Sequence, residues 1–92
     1  MHDLPDDDSW LRDQRRAIGN RVRQLRIDQN LTQERLYLAA RISRYTLQRA
    51  EAGEEIQLST LLRIARVLGV SLGQLEGSPP PAPGGSDPAA GQ

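Results

Sequence analysis

The chain contains no cysteine, no phenylalanine and no lysine. Without cysteine there is no disulfide framework and no thiolate metal site. The single histidine, His2, lies at the extreme of the chain and cannot assemble a metal site alone. No metal and no cofactor are therefore expected. With one Trp and two Tyr as its only aromatics, the core must be aliphatic, which suits a helical bundle. No apolar run is long enough to span a bilayer, and no signal-peptide pattern opens the chain, so a cytoplasmic location is expected. A nucleophile with its base and orienting group is missing, as is a glycine-rich phosphate loop ahead of a lysine. No enzyme is expected.

What is present is charge, unevenly placed. Twelve basic and twelve acidic residues cancel over 92 positions, but not locally. Residues 1–13 carry five aspartates against Arg12, a net −4. Residues 14–77 carry eleven arginines against six carboxylates, a net +5. A basic domain thus follows an acidic leader, and the basic part has the electrostatic character of a nucleic-acid binder.

The stretch Leu31–Gly53, LTQERLYLAARISRYTLQRAEAG, organises the rest. Thr32 is a good N-cap, and Glu34 in the turn after it suits the positive end of a helix dipole. Leu36 and Ala40 share a face. Ser43 caps a second helix with Leu47 and Ala50 inward, and Gly53 ends it where a left-handed residue is needed. Only Arg41 and Ile42 separate the two helices. So short a corner makes them cross steeply and the second protrude, as in a helix-turn-helix. Arg44, Tyr45, Gln48 and Arg49 face outward on the second helix. Arginine can grip guanine bidentately and glutamine can pair with adenine, so these four are the candidates for DNA base edges.

Here the chain resembles the Cro/repressor-type (XRE) helix-turn-helix family. The shared residues are Leu31-Thr32-Gln33-Glu34, Leu36, Ala40, Ile42-Ser43-Arg44, Thr46-Leu47, Arg49, Glu51 and Gly53. They continue in Leu61-Leu62-Arg63-Ile64-Ala65 and Leu68-Gly69-Val70-Ser71, so that the resemblance spans residues 15–77. It implies an all-α, five-helix bundle of the lambda-repressor-like DNA-binding type. It also implies an ion pair between Arg26 and Glu51 that locks the first helix to the third, and a phosphate bond from Gln33. Ser43 would cap and touch the DNA backbone, with Thr46 beside it; Arg21 and Arg23 are further phosphate candidates, Arg16 behind them. By the same analogy Leu72 and Leu75 form the surface of a weak homodimer. The family places the loop holding Glu54 and Glu55 near the DNA backbone. Two carboxylates there either turn away or weaken non-specific binding. The chain departs from the family pattern at Tyr37, where a small residue is usual, and at Arg41, where Gly is usual. Tyr37 must find room between the helices or lie outside them. Arg41 must accept a left-handed conformation, at about 1 kcal/mol, or the corner is built differently.

In chain order, residues 1–8 read as an acidic, disordered leader: a solvated segment, or an arm that competes with DNA or meets a basic partner. Asp8 is placed to cap a helix from Ser9 to about Gln29, with Leu11, Ile18, Val22 and Leu25 on one face. Gly19 would mark a bend in it. Trp10 and Leu11 are expected to pack on the bundle, with a protein-partner contact as the other reading. Four apolar pairs five apart then recur: Leu31/Leu36, Ile42/Leu47, Ile56/Leu61 and Val70/Leu75. Each straddles a capping position (Thr32, Ser43, Gln57, Ser71), which is the spacing of a hydrophobic staple. They predict helices over 33–40, 44–52, 58–68 and 72–76. Ser71 with Gln74 makes a capping box, whereas Gln57 is a poor cap. Leu61, Leu62, Ile64, Ala65 and Leu68 are expected mostly in the core. Residues 9–77 form the DNA-binding domain and 78–92, rich in Pro and Gly, a disordered tail too short for a second domain.

The function expected is sequence-specific binding of double-stranded DNA by a transcriptional regulator, as a repressor dimer on an inverted repeat. The alternative is an adaptor or antitoxin-like module that binds protein on the same fold.

Overall fold

A computed structural model describes residues 8–77. The acidic leader up to Asp7, with His2, and the stretch 78–92 lie outside the described residues. Five helices follow one another: α1 (Ser9–Asp28), α2 (Gln33–Ala40), α3 (Arg44–Glu51), α4 (Leu58–Leu68) and α5 (Leu72–Leu75). No strand occurs among the described residues.

The helix ends follow from local chemistry. Thr32, Ser43 and Ser71 each accept, through the side-chain oxygen, the backbone N–H three residues on. Ser71 N–H also donates to Gln74 Oε1 at 2.8 Å, which completes the capping box. Gln57 makes no side-chain cap. Asp8 occupies the N-cap position of α1, but its carboxylate makes no cap bond.

The first four helices all close in the same way. A left-handed residue follows each (Asn30, Arg41, Gly53 and Gly69), with φ between 58° and 81°. Its N–H and the next one turn back onto the last carbonyls, in the paired six-to-one and five-to-two bonds of a Schellman ending. At three of the four corners the next residue is apolar and serves twice. Leu31, Ile42 and Val70 close the helix behind them by their N–H groups and staple the helix ahead by their side chains. Each corner is thus left-handed residue, apolar residue, cap. Arg41 accepts the left-handed conformation at φ 58°, ψ 46°, so the corner keeps its geometry without glycine. Tyr37 finds its room half-buried against the core, with its carbonyl accepting from Ile42 N–H at 3.0 Å.

Val22, Leu36, Leu47, Ile64 and Leu75 are fully buried, and Ala40, Ala50, Ala65 and Leu68 complete an aliphatic core. The small alanines let helix backbones approach. Gly19 carries this furthest. α1 runs unbroken through it. A Cβ at Gly19 would lie 2.6 Å from the Ala50 carbonyl oxygen and 2.8 Å from that of Glu51. The glycine is where α1 touches the backbone end of α3. Trp10 does not pack on the bundle: it is 64 % exposed on the first turn of α1. Leu62 is also exposed, on the face of α4 opposite Ile64.

α1 is tied along its length to the end of the chain's fold. Gln14 Nε2 donates to the Glu76 carbonyl, Arg21 Nε to that of Gln74 and Gln29 Nε2 to that of Leu68. None of the described helices is long and apolar enough to cross a membrane.

Candidate nucleic-acid interface

α3 buries Leu47 and Ala50 and leaves Arg44, Tyr45 and Gln48 exposed, with Arg49 partly covered. The four candidate base-reading residues therefore share the outer side of one helix, as the 3.6-residue period requires. Tyr45, 67 % exposed, has its ring 5.7 Å from the guanidinium carbon of Arg49, within range of a cation–π contact. The helix begins with a shared hydroxyl pair. Ser43 Oγ accepts from Thr46 N–H at 3.0 Å and donates to Thr46 Oγ1 at 2.8 Å. That leaves the Thr46 hydroxyl proton available to an acceptor outside the protein.

Behind α3 lies a polar cluster that fixes it. Arg26 Nε donates to Glu51 Oε2 at 2.7 Å and Nη2 to Oε1 at 3.3 Å. The two side chains are only 13 % and 7 % exposed. Arg26 Nη1 also donates to the Leu31 carbonyl at 2.9 Å, and Gln33 Nε2 donates to Glu51 Oε1 at 3.0 Å. One carboxylate at the end of α3 thus gathers α1 and the start of α2. Breaking such a pair from one side would strand a charge with little water to solvate it. The Gln33 amide is turned toward Glu51, and its second N–H remains for another partner.

Arg21 and Arg23 are two residues apart, so they point about 200° apart around α1. Arg21 reaches α5 through Gln74. Arg23 is exposed and one turn beyond Gly19, on the flank where α1 meets α3. Arg16 joins it there: its Cα lies 2.8 Å from where a Cβ of Gly53 would be. The fold therefore brings Arg23 and Arg16, not Arg21, to the side of α3.

Of the two leucines expected at a dimer surface, Leu75 is a correction. It is 0 % exposed, because the staple with Val70 turns it into the core. Leu72 is half-buried. Among the described residues the exposed leucines are Leu58 and Leu62, one turn apart on α4, and Leu38 on α2.

The Gly53–Gln57 connection holds what the sequence reading missed. Arg49 Nε donates to Glu54 Oε1 at 2.9 Å and Arg49 Nη2 to the Glu55 carbonyl at 3.1 Å. Glu54 thus turns toward α3 and pairs with one of the outer arginines. The signal was present: a glycine that ends a helix by this geometry returns the following residue to the one five positions back. A shallow groove beside it is lined by Thr46, Arg49, Glu55, Ile56, Gln57 and Thr60. Among the described residues no group of three or more His, Asp or Glu side chains is placed to hold a metal ion.

Comparison with known proteins agrees with this geometry. A helix-turn-helix family model matches residues 22–75. A search of curated proteins finds no match. Three solved structures are similar at 28 % identity. The restriction-modification controller protein C.AhdI from Aeromonas hydrophila has a TM-score of 0.62, over 65 % of this chain and 92 % of its own. The clp gene regulator ClgR from Corynebacterium glutamicum has a TM-score of 0.63, over 75 % and 71 %. The hypothetical transcription factor NHTF from Neisseria has a TM-score of 0.67, over 87 % of both chains.

Proposed function

The chain belongs to the Cro/repressor-type (XRE) helix-turn-helix family, DNA-binding transcription regulators rather than enzymes, and on that premise we propose a sequence-specific repressor that binds an inverted repeat as a homodimer. The observation that carries the proposal is the outer face of α3. Arg44, Tyr45, Gln48 and Arg49 stand together on a helix whose other face is wholly committed to the core. Arg49 and Arg44 suit guanine, Gln48 suits adenine, and Tyr45 can donate one bond or pack on a thymine methyl. Thr46, with its free hydroxyl proton, and Ser43 would meet the DNA backbone at the start of α3, and the spare amide proton of Gln33 would do so at the start of α2. Arg23 and Arg16 would add phosphate contacts on the α1 flank, with Arg21 farther away.

One such module reads too few base pairs for tight binding, and two-fold pairing on half-sites about 34–36 Å apart supplies the rest. Leu72 with the exposed Leu58 and Leu62 offers the apolar surface for a weak dimer that DNA tightens. The site of action in this reading is the cytoplasm, on the nucleoid.

Selection of bound fragments from a random duplex pool tests the proposal. A palindromic motif is expected, and Arg49→Ala should then relax preference at one base pair by about 1–3 kcal/mol. Equal loss on every duplex would make Arg49 a phosphate contact instead. Absence of any motif, with no retarded DNA at low salt, would sink the regulator reading. It would favour a protein-binding module, for which the exposed Trp10, with Leu11 beside it, is the place to look.

A further inference from the structure

We infer that Glu54 is a specificity-determining positioning residue, which holds the Arg49 guanidinium by its side edge so that the Nη1/Nη2 edge is the one offered to a base. The inference rests on the DNA-binding reading above and adds to it a residue outside α3.

The placement begins in the backbone. α3 ends on left-handed Gly53, whose N–H donates to the Ala50 carbonyl at 3.1 Å while Glu54 N–H donates to that of Arg49 at 3.0 Å. This closure brings residue 54 back beside residue 49. The contact at that point of a Schellman ending is usually apolar. At the other three corners of this fold the equivalent residues are Leu31, Ile42 and Val70. At the end of α3 alone it is a carboxylate facing a guanidinium.

The geometry of the contact matters more than its strength. A guanidinium has five N–H donors in a fixed fork. Glu54 Oε1 takes the Nε proton and the Glu55 carbonyl takes one from Nη2, so the side edge is occupied. Three N–H groups remain, one on Nη2 and two on Nη1, and the adjacent Nη1/Nη2 pair is the edge that suits guanine O6 and N7. The Tyr45 ring at 5.7 Å restrains the same group from its face. Arg49 is therefore oriented before DNA arrives, and less rotamer freedom is lost on binding. The pair is exposed, at 38 % for Arg49 and 56 % for Glu54, so it contributes little to folding. Glu54 also brings a negative charge toward phosphates, which weakens generic binding while the aligned base contact is kept. Both effects raise the ratio of specific to generic affinity.

The test measures the full chain and its Glu54→Gln, Arg49→Ala and double variants on the duplex that the unmodified chain selects. Single-base-pair changes are made at every half-site position, and thermal unfolding is followed alongside. Glu54→Gln should unfold at the same temperature. It should lose roughly fivefold to tenfold of discrimination at the one base pair that Arg49→Ala also relaxes, with other positions unchanged. In the double variant, Glu54→Gln should add nothing at that position. Two results would overturn the inference. In one, Glu54→Gln tightens binding to every duplex by a common factor, so the carboxylate only repels phosphate. In the other, the preference at every position is untouched. If the unmodified chain selects no motif, the DNA-binding reading itself fails and takes this inference with it; a selected motif with unaltered Glu54→Gln preferences defeats the inference alone.

Discussion

α3 is entered through Arg41-Ile42-Ser43 and left through Gly53-Glu54-Glu55-Ile56-Gln57. Both connections open on a left-handed residue and both end on the residue that precedes a helix. In the first, Ile42 closes α2 and staples α3 at once, so no residue is spare. In the second, two residues are added, and the jobs separate: Glu54 closes α3 and Ile56 staples α4. Relieved of packing, position 54 can carry a charge, and that charge reaches the outer face of α3. The economical corner sets the angle between the two helices of the motif. The longer one has residues to spend on the binding surface.

The largest effect expected on folding lies at the end of α3, just ahead of the longer connection, where Arg26 and Gln33 meet Glu51. Arg26→Met leaves Glu51 buried with only Gln33 as partner, and should destabilise the fold by about 3 kcal/mol, seen as a lower urea midpoint at unchanged slope. If the loss is under about 1 kcal/mol, water reaches Glu51 and the cluster does not hold α3 against α1.

Next come two of the glycines that follow helices, Gly53 and Gly69. A Cβ at Gly53 would sit 2.8 Å from Arg16 Cα, whereas nothing lies within 4 Å of one at Gly69. Gly69→Ala should therefore show conformational strain alone, about 1 kcal/mol. Gly53→Ala adds a backbone clash and should reach about 2–3 kcal/mol by the same unfolding assay. Equal losses would mean that α1 moves aside freely, and that the close approach of α1 to the end of α3 constrains nothing.

Arg41→Gly should give the smallest change, and in the opposite direction. It relieves a left-handed non-glycine residue at the economical corner, offset in part by the freer unfolded chain, for a gain of about 0.5–1 kcal/mol. A rise of roughly 4 °C in Tm would register it. A fall in Tm would show that the Arg41 side chain holds the corner by contacts, beyond its backbone conformation.

Most of the architecture is legible in the sequence because it is local. The bounds 33–40 and 58–68 match α2 and α4 residue for residue, since a cap and a staple act within five positions of one another. The Arg49–Glu54 contact is equally local, because left-handed Gly53 returns residue 54 to residue 49. Other features were not legible in principle. Trp10 is expected to pack on the bundle and Leu75 to lie at a dimer surface, yet the first is left open and the second is covered, because each outcome depends on which helices gather around it.

By itself, the sequence determined where each helix starts and stops, that the core is aliphatic, and which four side chains share the outside of α3. Those properties depend on residues within a turn or two of each other. Only the tertiary structure decided that Gly19 meets the backbone of α3 at Ala50 and Glu51, that Gln33 joins Arg26 on one carboxylate, and that Arg23 rather than Arg21 flanks α3. A helical repeat tells which residues lie on one face. Which neighbour that face meets depends on how five short helices fill one core together, and no window of the chain contains that answer.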